Sequence, residues 1–199
     1  MYNMYMMYMD KKSLETRPAM PRLLIEFLIC MVLLCATAAQ GGEIMSFRIE
    51  SPDFKEGESI PQRFGCDGQD ISPGLVWADP PEGTRSFVLT VEDPDAPMGV
   101  FVHWVIYDLP SSARGLEQGI KGSDARLKGA KQGKTSFGQS HYGGPCPPRG
   151  HGTHRYIFTL RALDIPALDV APGSKKGIVE KAMKGHVLAE ARTTGTYQR

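Results

Sequence analysis

Residues 85–110, "RSFVLTVEDPDAPMGVFVHWVIYDLP", decide how this chain folds. Two runs rich in β-branched and aromatic residues, "SFVLTVE" and "GVFVHWVIYDL", flank the turn "DPDAP". Runs of this composition, bounded by turn residues, read as β-strands, and Pro110 stops the second. The short connection from Pro97 to Val100 predicts antiparallel neighbours. Along the second strand Phe101, His103, Val105 and Tyr107 fall on one face, and Val102, Trp104 and Ile106 on the other. Apolar residues on both faces predict a strand with cover on each side.

The pattern extends outward in both directions. "MSFRIES" (45–51) alternates apolar and polar residues, and "GLVW" (74–77) is the one apolar segment of a loop-rich region. Residues 111–141 are rich in Gly, Ser and Lys and lack periodicity, which predicts an excursion over the surface. Its lysines, Lys121, Lys128, Lys131 and Lys134, read as a solvated loop. "HRYIFTLRALD" (154–164) is a third strong strand. After Ser174, a suitable N-cap, apolar residues at Ile178, Val179, Ala182, Met183 and Val187 predict a helix over about 175–191. The tail "TTGTYQR" (193–199) reads as a last short strand. Many strands and one helix give a mostly β fold: an antiparallel β-sandwich with Greek-key connections and a C-terminal α-helix.

The chain has 199 residues and a formal net charge of +1, so it carries no electrostatic footprint for nucleic acid or an anionic membrane. Residues 1–42 differ from the rest. A Met/Tyr-biased opening and the basic stretch "KKSLETRPAMPR" precede an apolar run, Leu23 to Leu34, and then "CATAAQGG". That order describes a secretory signal peptide, with a run too short and too flawed for a stable membrane span. The expectation is an N-terminal extension and signal peptide over 1–42, one domain over 43–199, and export to a periplasmic or extracellular compartment. Cys66 and Cys146 remain after the extension, and an oxidising compartment allows them to pair. Spacing alone does not put their Cα atoms within bonding range.

Three stretches combine into a candidate site. Asp93 and Asp95 of "DPDAP" sit at a strand end in a turn held by two prolines. His103 lies early in the next strand, close enough for the pairing to bring it near both carboxylates. "GGPCPPRGHGTHRY" (143–156) ends on His154 and Tyr156, which share a strand face beneath a Gly/Pro-rich loop. Glycine permits close approach or positive φ, and proline fixes the loop shape. His141 and His151 read as exposed loop residues, Arg149 as a rim candidate, and Tyr197 as a residue reaching in from the tail.

These stretches, together with "CDGQDISPGLVW" and "KAMKGHVLAEARTTGTYQR", resemble the phosphatidylethanolamine-binding protein (PEBP) family, also called the Raf kinase inhibitor protein family, in its bacterial and archaeal branch. The resemblance covers about residues 44–199. It implies a two-sheet β-sandwich with a small surface cavity that takes an anion such as phosphate or a phosphoethanolamine head group. Carried over, the cavity would be lined by Asp93, Asp95, His103, Gly144, Pro145, Pro147, His154 and Tyr156. The family also includes kinase and protease inhibitors, which implies a protein target as a further partner; self-association is left open. No cofactor is implied.

Two carboxylates beside an anion need neutralising. The expectation is that Asp93 or Asp95 hydrogen-bonds a histidine ring, fixes its tautomer and raises its pKa, so that the other ring nitrogen donates to the ligand. Backbone N–H groups of the Gly-rich loop would add donors. A non-enzymatic binding module is favoured. The alternatives are a hydrolase using the Asp/His pairs as general acid and base, and a metal site built from Asp93, Asp95, His103 and His154.

Overall fold

The computed structural model describes residues 46–122 and 124–199. The expected signal peptide and the 42/43 boundary lie outside the described residues. Eight strands are described: β1 (Arg48–Glu50), β2 (Leu75–Ala78), β3 (Ser86–Asp93), β4 (Phe101–Pro110), β5 (Gly115–Leu116), β6 (Lys131–Gln132), β7 (His154–Leu163) and β8 (Val187–Tyr197). They form a three-stranded sheet, β1-β2-β5, and a five-stranded sheet, β6-β4-β3-β7-β8, with every pairing antiparallel. In the larger sheet β7 returns after a long connection to lie beside β3, so the order β7-β3-β4-β6 is of Greek-key type.

The two faces of β3 and β4 are both covered. Phe87, Leu89, Trp104 and Ile106 enter a core shared with Ile49, Leu75, Trp77 and Leu116 of the smaller sheet. Val88, Val105 and Tyr107 enter a second cluster on the outer face, capped by Val179 and Met183 of the one α-helix among the described residues, α1 (Lys176–Met183). This explains why alternation is lost along these strands: no position is fully exposed.

One face assignment changes. Val91 pairs with Trp104 but Glu92 pairs with Val102, so His103 is an extra residue on β4. A bulge of this kind re-aims side chains. Trp104 enters the inner core and Val102 packs with the outer cluster, although strict alternation would put them on one face. His103 accordingly parts company with Val105 and Tyr107.

The C-terminal helix is shorter than its periodicity predicts. It stops at Met183, and Gly185 takes φ 88°, the left-handed conformation that ends helices. Residues from Val187 onward pair with β7 over eleven residues of strand, so sheet pairing wins over helical spacing. Lys175, not Ser174, occupies the N-cap; the Ser174 hydroxyl donates to the Ala171 carbonyl instead.

A Cys66–Cys146 disulfide, with Cα atoms 5.4 Å apart, staples the turn after Phe64 to the Gly/Pro-rich loop. Arg199 reinforces this corner through two bonds to the Asp67 carboxylate, at 2.8 and 2.9 Å.

Candidate functional site

A cavity of about 360 Å³ opens where β3 ends, β4 begins and β7 begins. Its polar residues are Asp93, His103 and His154, and its walls include Pro97, Met98, Phe101, Phe137 and Pro147.

Asp93 is the last residue of β3 and is buried. Its Oδ1 accepts the Asp95 amide at 2.8 Å, and its Oδ2 accepts Nδ1–H of His154 at 2.7 Å. Two donors thus compensate a carboxylate that would otherwise be costly to bury. They also fix the His154 tautomer, leaving Nε2 as its second nitrogen. That nitrogen lies 2.7 Å from Nδ1 of His151, so a chain of hydrogen bonds runs from Asp93 through His154 to a surface histidine. His151 is exposed, as the sequence suggests, but it is not idle.

Asp95 has a different task. It accepts the backbone amide, Nε and Nη2 of Arg155, at 2.9, 2.9 and 2.7 Å. The side-chain bond to Arg155 holds its carboxyl at about 2. It buttresses the turn and does not line the cavity, contrary to its expected place in the lining; of the two carboxylates it is Asp93 that serves a histidine.

His103 is held from both ends by Gly143. Its Nδ1–H donates to the Gly143 carbonyl at 2.7 Å, and the Gly143 amide donates to its own carbonyl at 3.0 Å. Burial lowers the His103 pKa, against the opposing pull of the Gly143 carbonyl and the Asp93 carboxylate. The expectation that a carboxylate makes this histidine cationic is therefore reversed: desolvation outweighs it. A neutral His103 presents an Nε2 lone pair, an acceptor until it takes up a proton.

The glycines of the loop serve close approach. A Cβ on Gly144 would lie 2.1 Å from the Phe64 carbonyl, and one on Gly143 would lie 2.5 Å from the Phe137 ring. Neither amide is free for a ligand, since Gly143 N–H serves His103 and Gly144 N–H donates to Asp70 Oδ1 at 2.6 Å. Gly144 and Pro145 are buried behind the wall, and only Pro147 of the three expected loop residues lines the cavity.

Tyr156 stands behind His103, with ring centroids 5.0 Å apart. It is buried, and its hydroxyl has no hydrogen-bond partner. Burial, with the Asp93 charge beside it, pushes its pKa well above the usual phenol range, so it stays a neutral donor. Tyr197 is paired opposite His154 and packs against Gly65, away from the cavity. Arg149 reaches Asp67 at 3.4 Å, not the cavity.

Of the eight expected residues, Asp93, His103, Pro147 and His154 line the cavity. Sequence reading missed the apolar half: Phe137 packs on Phe101 at 4.7 Å and on His103 at 5.4 Å, from a Gly/Ser-rich loop with no periodic signal. The four residues considered for a metal do not converge, because Asp95 is tied to Arg155 and His103 Nδ1 to Gly143. Among the described residues, no group of three or more His, Cys, Asp or Glu is arranged to hold a metal ion.

A two-sheet sandwich with an Asp/His-floored cavity under a Gly/Pro-rich loop defines a known class. The phosphatidylethanolamine-binding protein family model matches residues 50–198, and the chain belongs to that family. It is 50% identical to a UPF0098 protein of Aquifex aeolicus, covering 80% of this chain and 91% of that protein. It is 43% identical to the UPF0098 protein YbhB of Escherichia coli, covering 75% and 99%. The crystal structure of E. coli YbcL, described as a new member of the mammalian PEBP family, superposes with a TM-score of 0.73 at 34% identity, covering 78% of this chain and 99% of YbcL. The PEBP homologue CT736 of Chlamydia trachomatis gives 0.70 at 36% identity, covering 77% and 98%.

Proposed function

We propose that this protein is a non-enzymatic binding module that holds a small oxyanion, phosphate or a phosphoethanolamine-type head group, in the Asp93/His103/His154 cavity. The observation that carries this reading is the Asp93–His154 hydrogen bond on the cavity floor. It fixes one imidazole in orientation and supplies the counter-charge that an imidazolium would need when an anion arrives. The apolar walls suit an oxyanion carried on a short organic stem.

Hydrolysis is the weaker reading. The Asp93–His154–His151 chain has the form of a base oriented by a carboxylate, but no serine lines the cavity and Cys146 is held in the disulfide. Inhibition of a kinase or protease, as the family resemblance implies, is a proposal about a protein target that would engage the apolar rim around Met98 and Phe137. The disulfide is in keeping with export.

The test is titration of the protein with phosphate and with phosphoethanolamine, followed by NMR, with His103→Ala and His154→Ala beside the wild type. Saturable shifts centred on these histidines and absent from the variants are expected. An absence of shifts at millimolar ligand would overturn the small-anion reading and leave the protein-target reading in its place.

A further inference from the structure

The segment 134–138 serves two cavities. Phe137 lines the pocket described above, while Lys134, Thr135 and Ser136 line a second cleft together with Val102, Lys175 and Gly177. None of these cleft residues lines the first pocket.

The second cleft is a concentration of donors. Lys134 and Lys175 are bridge partners in a short parallel pairing, with the Lys134 amide donating to the Ser174 carbonyl at 2.8 Å. Directly paired residues project to one side, so two exposed lysines leave the backbone on the same side of the pairing. Among the described residues neither has a carboxylate partner, whereas Lys176 is neutralised by Glu92 at 2.5 Å and Glu180 at 3.0 Å. Juxtaposed like charges without a counter-ion are unfavourable. An anion between them would relieve that.

The hydroxyls point to the same conclusion. Ser136 Oγ accepts the Val102 amide at 2.9 Å, which leaves its own O–H to donate. Thr135 is 6% exposed, and its Oγ1 has no partner at all. A buried hydroxyl is ordinarily satisfied, and one that is not calls for a ligand or a water. The cleft also receives the N-terminal end of α1, at Gly177, where no side chain caps the first turn. That end carries the positive pole of the helix. Lysines, hydroxyls and an uncapped helix end together concentrate donors and positive charge in this cleft, beside the two glutamates already engaged with Lys176.

We propose that this cleft is a second anion site, built for a phosphate-type oxyanion and independent of the His154 pocket. Its ligand is either free phosphate or a phosphomonoester on a larger molecule, since both present the same tetrahedral acceptors.

The test is an NMR titration of the full chain with inorganic phosphate and, separately, with phosphoserine. Saturable shifts at the Thr135, Ser136 and Gly177 amides are expected, and they should persist in His154→Ala, which separates this site from the first. Binding of phosphate alone assigns the free ion; binding of phosphoserine as well assigns a phosphomonoester. The double variant Lys134→Gln/Lys175→Gln should weaken binding at these amides on the order of tenfold or more. Thr135→Val removes the unpartnered hydroxyl at nearly constant shape. It should weaken phosphate binding while leaving the melting temperature equal or higher, which a purely structural role for Thr135 would not produce. The proposal is overturned if the wild type shows no saturable shifts at these amides, or if both variants bind phosphate as the wild type does.

Discussion

Asp93 and His154 are 61 residues apart in sequence, and their side chains meet at 2.7 Å in the interior, each almost completely buried. The juxtaposition comes from the sheet. β7 pairs with β3 from Glu92↔Ile157 back to Ser86↔Leu163, which carries the start of one strand to the end of the other. The same pairing leaves Asp95 to Arg155, so two carboxylates two residues apart do unrelated work.

Asp93→Asn should therefore damage both fold and site. It replaces a carboxylate that accepts from two N–H donors with an amide that has one acceptor oxygen, so either the Asp95 amide or His154 Nδ1–H loses its partner. An expected loss of about 1–3 kcal/mol in unfolding free energy follows from a compromised buried hydrogen bond. Urea denaturation measures it, and phosphate affinity measured alongside should fall. Asp95→Asn lies on a half-exposed ion pair and should cost less, within about 1 kcal/mol. Equal losses from the two variants would contradict the division of labour.

The pH response should report His103. Its pKa is lowered in the folded protein by burial, while in the unfolded chain it titrates near the ordinary imidazole value of about 6.5. Between those two values the unfolded state binds more protons. The contribution to stability is thus fully present above 6.5 and is lost as pH falls through the folded value. His103→Asn should flatten that part of the stability–pH curve. On the proposed reading a phosphate dianion needs a donor from His103 Nε2, so binding at about pH 8, where the free ligand is the dianion and the buried ring is neutral, should take up a proton. Isothermal calorimetry in two buffers of different ionisation enthalpy would register that uptake, and a buffer-independent heat would refute it.

The legible parts of this chain were those with local chemistry. The strand period in 85–110 and 154–164 gives β3, β4 and β7, and apolar residues on both faces correctly imply two layers of cover. Less was legible where non-local pairing decides. Residues 184–191 have helical spacing, but the free edge of β7 draws Val187 onward into β8. The bulge at His103 depends on how β3 and β4 align and leaves no mark in either strand alone. At the site, His103, His154 and Asp93 were visible by type and spacing. Phe137 was not, because a lone aromatic in a Gly/Ser-rich loop carries no period. The Gly143 and Gly144 amides looked available until their partners, His103 and Asp70, came from distant segments.

The disulfide should matter for the pocket as well as for stability. Its sequence separation is 80 residues, and on the chain-entropy account closing such a loop contributes about 4 kcal/mol. Cys66→Ala/Cys146→Ala should lower the melting temperature by about 10 °C for a domain of this size. Because Cys146 lines the cavity between Pro145 and Pro147, the same variant should weaken phosphate binding. Calorimetry and the NMR titration read the two effects separately. A variant that melts like the wild type would show that the corner is held by Arg199 and Asp67 without the bridge.

Gly144→Ala tests why the loop carries glycine at all. The backbone there is not in the left-handed region, so an alanine meets no torsional penalty of its own. The obstacle is contact: its Cβ would lie 2.1 Å from the Phe64 carbonyl and 2.7 Å from Asp70 Oδ1, with backbone on one side and a hydrogen-bonded carboxylate on the other. Neither neighbour is the free end of a flexible side chain, so the loop itself must shift. Overpacking of this kind typically costs about 1–3 kcal/mol. The displacement would propagate to Pro147 and to the Gly143 carbonyl that holds His103. Gly144→Ala should therefore lose stability and loosen His103 together. Its imidazole should then titrate closer to 6.5 than in the wild type, as the ring gains access to water. An NMR titration of the His103 ring resonances checks this. An unchanged His103 pKa in a destabilised variant would mean that the glycine serves packing at Phe64 alone.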